Sequence, residues 1–113
     1  GDYPFWLAPE QVRLLPVTDE VQPYAEQLLD QLTKAGVRAT VDRSGDRLGK
    51  LIRTGEQMKI PVLAVIGAKE AEQNAVSLRS RRYGDLGVTA VSDLLSAAQM
   101  ANSERAAGLE LNR

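Results

Sequence analysis

Apolar positions along the chain change their period repeatedly, and each change marks an element. Val12, Leu14, Leu15 and Val17 read as a strand over 11–17, closed by Pro16 and then Thr18-Asp19. Val21, Tyr24, Ala25, Leu28, Leu29, Leu32 and Ala35 follow at three- and four-residue spacing, the stripe of an amphipathic helix, with Gly36 placed for a left-handed cap. Residues 37–41 alternate, Val37, Ala39 and Val41 against Arg38 and Thr40, as a second strand. A turn over 42–46 leads into a helix over 46–59 that Ser44 or Asp46 is placed to cap. Leu48, Leu51, Ile52, Gly55 and Met58 form one arc of that helix; Arg47, Lys50, Arg53, Thr54 and Gln57 form the other.

Residues 61–66 are apolar on both faces, which predicts a central parallel strand covered on each side. Residues 67–72 form a turn or short helix. The next strand, within 74–82, sets Val76 and Leu78 on one face and Ser77, Arg79 and Arg81 on the other. Gly84-Asp85-Leu86-Gly87 reads as a turn. Val91, Leu94, Leu95, Ala98 and Ala101 then predict a third helix with Thr89 as its cap, and the polar tail from Asn102 is expected to fray. This order predicts an α/β fold: a mixed, mostly parallel sheet flanked by three helices, with right-handed crossovers. The step from 61–66 into 75–82 adds an antiparallel member. Before all of this lies an arm, residues 1–10, where two prolines argue for extended backbone and Tyr3, Phe5 and Trp6 are expected to pack on the body, with stacking on bases as the alternative.

Composition narrows the chemistry. With 113 residues the chain makes one domain, and 43% hydrophobic with 26% charged residues is ordinary for a water-soluble fold. It contains no cysteine and no histidine, which removes the common nucleophile systems and zinc sites. There is no GxxxxGK[ST] and no GxGxxG, so no phosphate loop. Glu70 and Glu72 are a close carboxylate pair, read structurally as solvated turn residues. These totals argue against a self-contained enzyme. The net charge of −1 hides an asymmetry: residues 38–59 and 76–82 hold nine of the fourteen basic residues and three acidic ones, about +6 against −7 elsewhere. Such a split suits either a polyanion-facing surface or plain solubility.

Three stretches then coincide: Phe5-Trp6-Leu7-Ala8-Pro9-Glu10-Gln11-Val12, Lys59-Ile60-Pro61 through Gly67, and Val76-Ser77-Leu78-Arg79-Ser80-Arg81-Arg82 through Gly87. Together they resemble the C-terminal anticodon-binding domain of bacterial-type threonyl-tRNA synthetases, over nearly the whole chain. The resemblance implies a mixed five-stranded sheet with three helices, spanning 11–107, joined by the 1–10 arm to a catalytic domain that lies outside this sequence, with 108–113 as a frayed tail. It implies a cytoplasmic protein and, as partners, the anticodon loop of tRNA(Thr) and that catalytic domain, with no DNA and no membrane. ATP, magnesium and zinc would belong to the parent's catalytic part; this piece would need no cofactor and catalyse nothing alone. Carried over by position, Arg79 is the strand arginine that contacts a base edge and Glu70 the acidic reader. Arg53, Lys59 and Arg47 fall where basic contacts are expected, with Lys50 and Arg81 as further phosphate contacts. Two positions depart from the family's pattern: Lys59 stands where an arginine is common, losing bidentate geometry, and Gly45 where asparagine is frequent. Two other readings share these residues: another class II synthetase's anticodon-binding domain, or a flavodoxin-like small-molecule or protein-interaction module.

Overall fold

The computed structural model describes residues 3–111. Five strands form one sheet in the order β2-β1-β3-β4-β5: β1 (Val12–Pro16), β2 (Ala39–Val41), β3 (Val62–Ile66), β4 (Ala75–Ser80) and β5 (Gly84–Ala90). Four helices accompany it: α1 (Gln22–Lys34), α2 (Leu48–Gln57), the short α3 (Ala68–Glu72) and α4 (Val91–Ser103). The expected mixed α/β sheet is present with β3 at its centre, but the balance differs from a mostly parallel one. β1 pairs in parallel with β2 and β3, whereas β3–β4 and β4–β5 are antiparallel.

The strand order decides which face each helix covers. From β1 the chain crosses to β2 on one side, then returns past β1 to β3 on the other. Right-handed crossovers in opposite directions put their helices on opposite faces. α1, joined by α4, covers the larger face, where Leu14, Leu28, Leu32, Val62, Ala64, Val76, Leu78 and Leu94 make the main core. α2 alone covers the other, where Leu51 packs with Leu15, Ile60 and Leu63. Its approach is close because Gly55 has no side chain. A Cβ there would lie 2.6 Å from Leu63 Cδ2.

Several local expectations are corrected. The segment 84–87 is not a turn but the start of β5, with one extra residue accommodated opposite Leu78/Arg79 and Gly87 in the left-handed region (φ 76°). The hairpin turn is instead Arg81-Arg82-Tyr83, whose Arg82 and Tyr83 amides donate to Ser80 Oγ. Thr89 therefore lies inside β5, and α4 starts at Val91, with Ala90 as its N-cap residue and no side-chain cap. Ser44 and Asp46 do not cap α2: the Asp46 amide donates to Ser44 Oγ within the preceding turn, and Arg47 is the N-cap residue. Leu48 and Met58, at the two ends of the apolar arc of α2, are exposed. Gly36 takes the left-handed conformation expected of it (φ 81°).

The arm and the tail hold each other. Residues 5–7 form a single 3-10 turn rather than an extended arm, and Phe5 is fully buried. The Phe5 amide donates to Ala107 O, and Gln11, itself fully buried, donates from Nε2 to Phe5 O and accepts at Oε1 from the Arg38 amide. Arg38 reaches back to the carbonyls of Ala8 and Trp6, while Arg105 lies 5.2 Å over the Trp6 ring. The tail does not fray at Asn102: Arg105 turns the chain in a left-handed conformation (φ 56°), and Leu109 is 1% exposed, sealing the core. Residues 112–113 lie outside the described residues.

Gly55→Val should cost about 1–3 kcal/mol of unfolding free energy in urea titration, through overpacking against Leu63. The same substitution should cost less in a chain already carrying Leu63→Ala.

Candidate nucleic-acid interface

β3, β4 and β5 are joined by α3 and a tight hairpin, neither of which lays a long helix on the face that α2 covers. The β4–β5 half of that face is therefore bare. Register aligns its residues: Leu63 pairs with Arg79 and Val65 with Ser77, and beyond them Arg79 pairs with Asp85 and Ser77 with Val88. Leu63 and Val65 lie beneath α2, whereas Arg79 is exposed and Val88 is 57% exposed. The core-facing residues of the same strand are Val76, Leu78 and Ser80.

Glu70 reaches this face from α3. Its Oε1 accepts from the Gly67 amide at 2.7 Å, closing the first turn of the helix, and its Oε2 accepts from Ser77 Oγ at 3.2 Å. Glu70 is thus a tethered, half-buried carboxylate rather than a solvated turn residue. Alternation places Ser77 beside Arg79, but the sequence reading assigned it no role. Its signal in the sequence is a small polar residue between Val76 and Leu78 on an alternating strand.

On the other side of Arg79 lies a cleft of ≈ 220 Å³ lined by Glu56, Ile60, Leu63, Arg79, Ser80, Arg81 and Gly84. Its wall toward α2 is the helix's last turn. Arg81, expected on the strand, lies in the hairpin turn, where its Nη1 donates to Glu56 O at 3.3 Å. Lys59 follows α2 in the left-handed conformation usual for glycine (φ 59°), so that the Ile60 amide reaches Gly55 O. Arg53 is exposed at mid-helix, and Arg47 and Lys50 are exposed toward its N-terminal end, about 14 Å and about 9 Å along the helix from Glu56 at the cleft. The structure therefore gathers Glu70, Ser77, Arg79 and Arg81 closely. Arg47, Lys50 and Arg53 form a separate flank.

Ion pairing sorts the basic residues. Arg43 makes a bidentate pair with Glu26, Arg38 is spent on arm carbonyls, and Lys50 faces Asp46 at 3.7 Å. Arg13 is bidentate to Glu10, which also accepts from Thr40. Burial alone would raise the Glu10 carboxyl, but those hydrogen bonds and the Arg13 charge outweigh it and hold it below the usual carboxylate range. The side chains of Arg47, Arg53 and Arg79 make no hydrogen bond or ion pair among the described residues. Exposed and unpaired, they are the cations best placed to accept an external anion.

With this geometry in view, comparison with known proteins is direct. A family model described as an anticodon binding domain matches residues 11–100. The chain is 99% identical over 113 residues to a threonine–tRNA ligase of Synechococcus sp. (strain CC9605), covering 100% of this chain and 18% of that protein. It is 62% identical over 96 residues to the threonine–tRNA ligase of Thermosynechococcus vestitus, covering 85% of this chain and 16% of that one. The chain thus spans about a fifth of the length of the curated relatives it matches. The RNA-binding domain of threonyl-tRNA synthetase from Cryptosporidium parvum Iowa II superposes with a TM-score of 0.81 at 26% identity, over 97% of this chain and 26% of that one. Histidyl-tRNA synthetase from Nostoc sp. PCC 7120 superposes with a TM-score of 0.74 at 28% identity, over 79% and 21%.

Lys59→Gly should raise stability by about 0.5–1 kcal/mol in urea titration, because glycine takes the left-handed conformation without a Cβ penalty.

Proposed function

This chain belongs to the anticodon-binding-domain family, and from that premise we propose that it recognises the anticodon loop of tRNA(Thr) as one domain of a threonine–tRNA ligase. The observation that carries the reading is the bare β4–β5 face, on which the unpaired Arg79 stands between a tethered carboxylate and a small cleft. Sequence-specific RNA reading uses unstacked, single-stranded bases, held by stacking and by hydrogen bonds to their edges. An exposed strand pair with donor and acceptor groups at two-residue spacing suits such bases. Arg79 supplies a planar donor fork for base carbonyls and ring nitrogens. Glu70 supplies acceptors for amino and imino groups. Successive same-face residues on β4 are about 6.8 Å apart, close to the step between splayed nucleotides.

The remaining cations have a different task. Arg47, Lys50 and Arg53, on the α2 flank, are suited to phosphates, with Lys59 and Arg81 nearer the cleft. Phosphate contacts hold register and carry the salt dependence, whereas base-edge contacts carry the preference. The threonine assignment rests on the 99% identity to a threonine–tRNA ligase, of which this chain covers 18%.

Titration of the chain with a threonine-anticodon stem-loop, against loops with each anticodon base changed, tests the reading. Arg79→Ala should weaken cognate binding by about 1–3 kcal/mol and blur the preference among loops. Lys50→Ala should weaken all loops evenly and flatten the salt slope. A chain that prefers a proline or histidine anticodon would defeat the threonine assignment. Indistinguishable behaviour of the two variants would defeat direct readout by Arg79.

A further inference from the structure

We propose that Asp85 is a positioning residue for RNA binding: its carboxylate, tied back to the Gly87 amide, leaves the facing Arg79 guanidinium uncommitted and open to an external acceptor. The inference rests on the functional reading above and assigns a task to a residue outside the expected site.

The β4–β5 ladder pairs Ser77 with Val88 and Leu78 with Gly87, so unbroken alternation would set Leu86 against Arg79. The extra residue changes that. Leu86 packs against the main core, and Asp85 becomes the partner in register with Arg79. Directly opposite residues of an antiparallel pair hold their Cβ atoms about 4.5–5.5 Å apart, and opposite charges placed so attract. An arginine side chain spans that gap. The ordinary outcome is a cross-strand ion pair.

No such pair forms among the described residues. Asp85 Oδ1 instead accepts from the Gly87 amide at 2.8 Å, the bond to the backbone two residues on that aspartate's short side chain permits. Aspartate is depleted in strands, and this bond accounts for one within β5. Glu70, the other carboxylate near Arg79, is likewise held by neutral donors, the Gly67 amide and Ser77 Oγ. Two carboxylates thus stand near one guanidinium, and neither takes up its donors.

That matters because an RNA acceptor must first displace any internal partner of the arginine. A guanidinium paired across the strands would be turned toward β5 and would give up that pair on binding. A carboxylate held by a backbone amide keeps its charge on the strand opposite Arg79 and leaves the planar fork free.

Lengthening the Asp85 side chain tests this at constant net charge. Asp85→Glu moves the carboxylate one methylene outward, away from the Gly87 amide and toward Arg79. Asp85→Gln has the same shape without the charge. Both variants of the 113-residue chain are titrated with the threonine-anticodon stem-loop. Wild type and Asp85→Asn are titrated alongside, which measures the general effect of removing one negative charge. Beyond that effect, Asp85→Glu should bind about two- to fivefold more weakly than Asp85→Gln. With Arg79→Ala already present, the excess should vanish. The Arg79 Nε–Hε resonance should move in Asp85→Glu and keep its wild-type position in Asp85→Gln. Absence of the excess, its persistence without Arg79, or an unmoved resonance overturns the positioning role while the functional reading stands. A wild type that treats all loops alike overturns the functional reading and this inference with it.

Discussion

The uneven covering of one sheet is the constraint on which this structure depends. Strands spaced about 4.8 Å apart make a five-stranded sheet roughly 19 Å across, and one helix about 10 Å in diameter spans only two or three of them. α1 and α4 together close the larger face. On the other face there is only α2, drawn down over Leu15 and Leu63 by the missing side chain at Gly55. The reason is connectivity. Parallel strands require crossover helices, which alternate faces when the chain reverses direction across the sheet, whereas antiparallel strands are joined by short links. The switch to antiparallel pairing after β3 therefore leaves a face without a helix. A surface with Ser77, Arg79 and Val88 side by side is the consequence.

That bare face would be a liability if it were apolar. Its centre is instead polar, with Ser77 and Arg79 on β4 and a carboxylate brought over from α3. The charge segregation legible in the composition is real but coarser than the site it serves. Arg38 and Arg43 count toward the basic segment, yet one is bound to arm carbonyls and the other to Glu26. What distinguishes Arg79, Arg53 and Arg47 is not charge but the lack of a side-chain partner among the described residues. The same holds for the acidic residues: Glu10 and Glu26 are committed to arginines, and Glu70 retains acceptor capacity because its tethers are neutral donors.

Much of the fold was legible from periodicity because burial enforces it. The helical stripe from Val21 to Ala35, the two-sided apolar run 61–66 and the alternation around Leu78 each follow from facing a core. β5 escaped this reading since glycines and an aspartate occupy its first half, and only a bulge next to the hairpin lets such residues join a ladder. The tail escaped it because Leu109 acts alone: one buried side chain leaves no period. The cap at α2 was misplaced for a related reason, since Ser44 has a local competitor in the turn itself. Of the candidate site, Arg79 and Glu70 were visible, as was the basic arc of α2, but not the bond that joins Glu70 to Ser77.

The chain's residues by themselves determined the order of elements, which faces are apolar, the absence of cysteine and histidine chemistry, and the family to which the motifs point. These are local properties, set by spacing and composition. Tertiary structure alone decided which charges are neutralised, which half of the sheet stays open, and that a serine on β4 meets a glutamate seven residues earlier on α3. Those facts depend on pairing register and crossover handedness, which bring distant residues within hydrogen-bonding reach and leave no mark on the spacing of either.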